Sequence, residues 1–211
     1  MTSGPVIWVE GIIGAGKSTL AAKLAEGLGL RAFHEPVEEN PYLKLFYEDQ
    51  KFWAFAMQIH LLKERFFIQK LATYEALLGR GCVLDRGLPG DRVFAKLHMH
   101  NGNIPPLMWK TYEELFEFMC LDVKTPSLII FLDVEPEGAL ERVRERNRSE
   151  ETTVDLKYLQ DLRKGYLDLL CEIESGDHSW ARKMETKRIP WNTDHQPVQG
   201  LVDYLKHKYA L

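Results

Sequence analysis

Short apolar runs alternate along this chain with longer stretches whose apolar residues recur every three or four positions. The runs Val6–Glu10, Arg31–His34, Cys82–Asp85, Ser127–Val134 and Lys187–Pro190 predict five strands. Helical spacing predicts helices over 18–28, 51–78, 88–99, 106–122, 136–146, 155–174 and 197–208. Strands that alternate with helices imply an α/β fold, a parallel sheet with helices on both faces. In such sheets a ligand lies beyond the carboxyl ends of the strands. The segments that follow strands are therefore the candidates for function: Glu35-Pro36-Val37-Glu38-Glu39, Asp85-Arg86-Gly87, Asp133-Val134-Glu135 and Trp191-Asn192-Thr193.

The helix predicted over 51–78 carries two neighbouring stripes. Phe55, Ile59, Leu62 and Phe66 step by four, three and four residues and read as a core face. Gln58, Leu61 and Arg65 form a second stripe, rotated by about 100°. That stripe is either an exposed polar edge or an amide and a guanidinium placed to read a planar heterocycle. Phe52, Trp53, Phe66 and Phe67 are expected in the core.

Composition narrows the class. With 211 residues, 45% of them hydrophobic, the chain can bury one substantial core, and residues 1–211 are expected to form a single domain. No repeat, low-complexity tract or Pro/Gly/Ser-rich linker divides it. A net charge of −4 argues against wholesale binding of nucleic acid. Cys82, Cys120 and Cys171 form no C-x-x-C pair and are expected as reduced, mostly buried thiols. No apolar run approaches the ~18 residues of a membrane span, and the start lacks a signal pattern. A soluble, cytoplasmic protein is expected.

The string EGIIGAGKST, residues 10–19, fits G-x-x-x-x-G-K-[ST] through Gly11, Gly16, Lys17 and Ser18. A predicted strand precedes it and a predicted helix follows, the context a phosphate loop requires. The competing reading is a glycine-rich turn. Glycines let backbone N–H groups converge on phosphate oxygens, and the helix start adds further donors. Gly11, Gly14, Ala15, Gly16, Lys17, Ser18 and Thr19 are thus the candidate ATP contacts. Lys17 would neutralise β- and γ-phosphate charge, and the Ser18 hydroxyl would ligate Mg²⁺.

Other candidates gather around that loop. Glu35, held extended by Pro36, is either a proton acceptor for an attacking hydroxyl or a surface carboxylate; Glu38 and Glu39 read as solvated. Asp85 could hold Mg²⁺ through water and Arg86 could stabilise a transferring phosphoryl group. Asp133, after LIIFLD, competes for the metal, and periodicity does not choose between them. In ERVRERNRSEE, Arg142 and Arg146 share a helix face and Arg148 falls in the following loop. The cluster is either a solvated helix end, a weak nucleic-acid patch, or a lid that closes over ATP. His98-x-His100 lacks an evident third metal ligand and is expected as exposed helix-end histidines.

In order and spacing these pieces resemble the deoxyribonucleoside kinase family. The matching strings are GIIGAGKST, HEPVEENPYL, Gln58 with Arg65, DRGLPGDR and RERNRSEE, spread over residues 10–151. EPVEENPY is especially similar to bacterial deoxyadenosine kinases. The resemblance implies a P-loop kinase fold with an Arg-rich lid, Mg²⁺-ATP as donor, and transfer to the 5′-hydroxyl of a deoxyribonucleoside. It implies Glu35 as general base, Lys17 and Arg86 at the phosphates, and Ser18 with Asp85 for the metal, favouring Asp85 over Asp133. Tyr47 and Glu151 fall where the family binds the sugar 3′-hydroxyl, and Gln58, Arg65 and Asp91 where it reads the base. Arg142, Arg146 and Arg148 match lid arginines on ATP.

The implied substrate ranking is deoxyadenosine first, then deoxyguanosine or deoxycytidine, with thymidine poor. The family also implies a homodimer through the 51–78 and 106–122 helices. Two positions depart from its pattern. Ile12 replaces a common asparagine within the variable part of the loop, and Gly87 replaces a serine or threonine whose side chain would add a hydrogen bond. Two rivals share the motifs: a thymidylate-kinase-like nucleoside monophosphate kinase, with Arg65 on the acceptor phosphate, and a nucleotide-binding regulatory module without transfer activity.

Overall fold

In a computed structural model, residues 3–34, 40–146, 154–181, 184–191 and 198–211 are described. They form β1 (Val6–Glu10), α1 (Lys17–Leu28), β2 (Arg31–Phe33), α2 (Leu43–Glu48), α3 (Gln50–Leu77), β3 (Cys82–Asp85) and α4 (Leu88–His100). There follow α5 (Pro106–Leu121), β4 (Leu128–Asp133), α6 (Pro136–Arg146), α7 (Leu156–Ser175), β5 (Thr186–Pro190) and α8 (Gln199–Tyr209). The sheet order is β2-β3-β1-β4-β5, with every pair parallel. All five residues of β1 are buried because helices cover both faces of the central strand.

The chain leaves β1 at the point where strand order diverges, with β3 on one side and β4 on the other. That crevice is where α/β sheets bind ligands. Register fixes what meets there. Val9 pairs with Asp85, so the end of β3 stands level with the start of the 11–16 loop. Asp133 pairs instead with Pro190 of the outer strand β5.

The main core packs α1 and α3 on the sheet, with α8 against α1, α4 against α3 and α7 against α4. A smaller cluster of Phe46, Ala54, Met57 and Ile104 seats α2 on α3. The six-residue α2 was not predicted: its one buried residue, Phe46, leaves no helical period to count.

Several expectations change. The inward line of α3 runs through Ala54, Gln58, Leu62, Arg65, Gln69, Ala72 and Ala76. Phe55, Ile59 and Phe66 lie half-buried at its margin. Of the two readings of the Gln58–Arg65 stripe, the exposed polar edge fails: both side chains are buried, because α3 is wedged between α2, α4, α5 and the sheet. Phe52 and Phe67 are not core residues but 70% and 59% exposed. With Tyr74 and Leu77 of α3, and with Phe118 and Leu121 of α5, Phe67 gives two neighbouring helices apolar outer positions. Cys82 is buried, Cys120 half-buried and Cys171 exposed, all as free thiols. His98 is buried rather than exposed, and no group of three metal-ligating side chains occurs among the described residues. No described helix is long and apolar enough to cross a membrane.

Candidate active site

The loop after β1 is built by three glycines with positive φ: Gly11 at 152°, Gly14 at 78° and Gly16 at 88°. Helix α1 starts at Lys17 with Gly16 as N-cap and no side-chain cap, leaving its first N–H groups for a ligand. Lys17 is buried and donates through Nζ to the Ile12 carbonyl at 3.0 Å. The Ile12 side chain is itself core, so an apolar residue suits the position and the loop geometry is kept. Ser18 and Thr19 are exposed at the start of α1.

Ser18 Oγ donates to Asp85 Oδ2 across from β3. The other carboxylate oxygen, Asp85 Oδ1, is buried and has no hydrogen-bond partner among the described residues. A hydroxyl beside a carboxylate with an unused buried oxygen fits an oxygen-loving divalent cation. Asp133 is already engaged: it accepts from Arg163 at 3.1 and 3.0 Å and from Arg188 at 2.8 Å. The geometry thus separates two carboxylates that periodicity left equal.

Arg86 follows with φ of 76°, a left-handed conformation that costs a non-glycine residue about 1–3 kcal/mol. Its guanidinium lies 4.6 Å from the Phe94 ring centroid and donates to the Tyr166 hydroxyl, so it is both buried and aimed.

The candidate base readers meet on α3 and α4. Arg65 is ion-paired with the fully buried Asp91, and the Tyr112 hydroxyl donates to Asp91 Oδ2. Burial holds the Tyr112 phenol well above its usual pKa, so it remains a donor. Tyr112 is stacked between Trp109 and Phe116, with centroids 5.5 and 6.4 Å away. Gln58, 1% exposed, keeps a side-chain oxygen with no partner among the described residues. Such a group costs about 1–3 kcal/mol unless a ligand satisfies it.

A cavity of about 450 Å³ opens among the loop tip, α2, the end of α4 and the start of α7. Ile13, Tyr47, His98, Val154 and Tyr158 are among its walls. Its size suits a small-molecule ligand. Burial pushes the Tyr158 phenol pKa up, so it remains a donor at the cavity wall. Burial lowers the His98 pKa to about 4, so its ring is neutral at physiological pH. Gln58, Arg65 and Asp91 are not among the residues that line this cavity.

Arg142 is half-buried and donates from Nε to the Gly138 carbonyl at 3.0 Å, while Arg146 is exposed at the end of α6. Glu35, Glu38, Glu39, Arg148, Glu151, Asn192 and Thr193 lie outside the described residues. Three residues beside the site went unnoticed in the sequence: Glu10, Gln69 and Tyr112. Glu10 carried a signal, a charged residue closing an otherwise apolar strand.

A phosphate loop at the switch point of a parallel sheet, with Ser18 against Asp85 and a buried Arg86 beyond, defines a nucleotide-dependent phosphotransferase. The family described as deoxynucleoside kinase matches residues 7–194, and the chain belongs to it. It is 39% identical over 206 residues to the deoxyadenosine kinase of Dictyostelium discoideum, covering 98% of this chain and 80% of that one. It is 38% identical over 203 residues to the deoxyadenosine/deoxycytidine kinase of Bacillus subtilis (95% and 91% covered). Among solved structures, deoxyadenosine kinase from M. mycoides with bound dATP aligns with a TM-score of 0.76 at 26% identity. That alignment covers 98% of this chain and 100% of the other.

Proposed function

We propose that this kinase transfers the γ-phosphoryl group of ATP to the 5′-hydroxyl of a deoxyribonucleoside, with deoxyadenosine preferred and deoxyguanosine or deoxycytidine secondary. The observation that carries the base preference is the buried Arg65–Asp91 pair, together with a buried Gln58 oxygen, on the same helix as Arg65, that has no partner among the described residues. That oxygen can accept from adenine N6–H while the Gln58 amide N–H donates to a ring nitrogen. Thymine would bring a methyl group toward the long Arg65 side chain and leave buried polar groups unmatched. The Dictyostelium relative is named a deoxyadenosine kinase and the Bacillus relative a deoxyadenosine/deoxycytidine kinase, which supports deoxyadenosine as an acceptor.

In the reaction, the 5′-oxygen attacks Pγ in line as the bond from Pγ to the β,γ-bridging oxygen breaks. Glu35 takes the hydroxyl proton, and ADP carries away the electron pair. Lys17 and the 11–16 backbone hold the donor phosphates, and Arg86 stabilises charge on the transferring group. Mg²⁺ held at Ser18 and Asp85 would supply charge neutralisation at the β- and γ-phosphates. Tyr47 and Glu151 bind the 3′-hydroxyl, and Arg142, Arg146 and Arg148 form a lid over ATP. Two copies pair through the apolar outer positions of α3 and α5, and the enzyme serves nucleotide salvage in the cytoplasm.

The monophosphate-kinase reading needs a cation for the acceptor phosphate, whereas Arg65 is committed to Asp91. Measuring kcat/KM for four deoxyribonucleosides and their monophosphates at one ATP concentration tests both readings. Deoxyadenosine should be the best acceptor; a monophosphate as best acceptor, or no acceptor-dependent ADP release, would sink the proposal.

A further inference from the structure

The turn that carries Arg86 is held by two side chains from elsewhere in the fold. Helix α4 begins with Gly87 as its N-cap, and a glycine has no side chain with which to accept from the first N–H groups. The N–H groups of Gly87 itself and of Leu88 are instead satisfied by side chains from β1 and α3. Gly87 N donates to Glu10 Oε1 at 2.7 Å, and Leu88 N donates to Gln69 Oε1 at 3.0 Å. Both acceptors are 2% exposed, one at the end of β1 and the other in the middle of α3.

The surroundings are shaped to admit them. A Cβ at Gly90 would stand 2.6 Å from Glu10 Oε2 and 2.8 Å from Arg86 Cγ. A Cβ at Gly87 would stand 2.6 Å from the Trp8 indole. Glycine at 87 therefore leaves room for the Trp8 indole, and glycine at 90 leaves room for the Glu10 carboxylate at the start of α4. There the carboxylate also meets the positive end of the helix dipole. Between these anchors sits Arg86, left-handed, its own N–H donating to the Val9 carbonyl at 3.0 Å.

We infer that Glu10 and Gln69 are positioning residues for Arg86. Their two hydrogen bonds lock the Asp85-Arg86-Gly87 turn in its left-handed form and so set where the guanidinium meets the transferring phosphoryl group. Glu10 directly precedes Gly11, so one side chain links the phosphate loop to the arginine turn. Without the anchors, the left-handed residue relaxes toward the right-handed region favoured by L-residues, and the guanidinium leaves its place over Phe94. This rests on the reading of Arg86 as the group that stabilises phosphoryl charge.

The test uses Gln69→Leu, which removes an acceptor at nearly constant shape, and Gln69→Glu and Glu10→Gln, which keep one. Each is assayed for kcat and KM with deoxyadenosine and ATP, for amide hydrogen exchange over residues 85–90, and for thermal unfolding. Gln69→Leu should lose about tenfold in kcat, with the deoxyadenosine KM within about twofold, and should speed exchange in the 85–90 segment. Gln69→Glu and Glu10→Gln should retain most of kcat, and Gln69→Leu should add no further loss in an Arg86→Ala background.

A Gln69→Leu enzyme that melts earlier but keeps kcat within twofold, or loses rate additively with Arg86→Ala, would overturn the inference. So would unchanged exchange over 85–90. If Arg86→Ala alone leaves kcat intact, the role given to Arg86 falls, while the exchange result still judges the anchoring separately.

Discussion

Tyr112 donates its hydroxyl hydrogen to Asp91, the carboxylate that is also paired with Arg65, so an aromatic stack on α5 orients a charge pair between α3 and α4. Replacing Tyr112 with Phe keeps the stack and removes only the donor. Asp91 is then held from one side, and a base reader loses its fixed orientation. The loss of one buried hydrogen bond to a charged group, about 1.5–3 kcal/mol, predicts a rise of roughly tenfold or more in the deoxyadenosine KM. In the proposed reading Tyr112 and Asp91 act on the base and not on the phosphates, so kcat should change less than threefold. Steady-state kinetics with deoxyadenosine and deoxycytidine check this, and an equal fall in kcat would place Tyr112 elsewhere in the mechanism.

The same pair predicts an asymmetry in stability. Asp91→Ala removes a buried carboxylate from a guanidinium that has only 7% of its side chain exposed, and breaking a buried pair costs about 3–5 kcal/mol. Removing both members, as in Arg65→Leu with Asp91→Ala, should cost less than Asp91→Ala alone, because the buried guanidinium goes with its carboxylate. Denaturant midpoints for the three proteins give the comparison. Strict additivity of two destabilising effects would show that the pair is not coupled.

Strands and most helices were legible because each carries enough residues for its period to be counted. The 11–16 loop was legible because phosphate chemistry dictates its residue types. Helix α2 was not legible, with six residues and one buried side chain. Gln58, Arg65 and Gln69 illustrate a deeper limit. Hydropathy assigns polar residues to solvent, so a helix that buries them in a site appears rotated, and Phe67 then falls on the wrong face. The partnership of Glu10 with Gly87 joins residues 77 positions apart through β1–β3 pairing, which no local window contains. Asp85 and Asp133 both close apolar strands, so periodicity leaves them equal and the resemblance alone favours Asp85. Their different strand neighbours and side-chain partners lie outside any local window.

Glu35 is the residue on which the chemistry of transfer most depends in this reading. Glu35→Gln keeps the shape and removes the base, so kcat should fall by about 10²–10⁴-fold with a smaller change in deoxyadenosine affinity. Binding measured by calorimetry, beside single-turnover rates, separates the two effects. A rate within threefold of the parent would assign proton removal to another group.

His98 predicts a specific dependence of stability on pH. Its ring packs edge-on against Phe46 with centroids 5.0 Å apart, and burial lowers its pKa from 6.5 to about 4. In the unfolded chain the imidazole takes up a proton near pH 6.5, while the folded protein resists protonation until about pH 4. Below pH 6.5 the unfolded state therefore binds more protons, and stability falls as pH is lowered. The contribution is fully present above pH 6.5, declines across the window from 6.5 to about 4, and has no further slope below it. At 1.36 kcal/mol per pKa unit the loss across that window is roughly 3 kcal/mol. His98→Gln removes the titrating group while keeping a polar side chain beside Asn103, whose amide lies 3.5 Å from the ring. Its stability at pH 8 should be lower than that of the parent, and the difference should shrink toward pH 4.5. Urea midpoints at pH 8, 6 and 4.5 decide the matter: a gap that stays constant with pH would show that the buried imidazole does not contribute to the acid sensitivity of the fold.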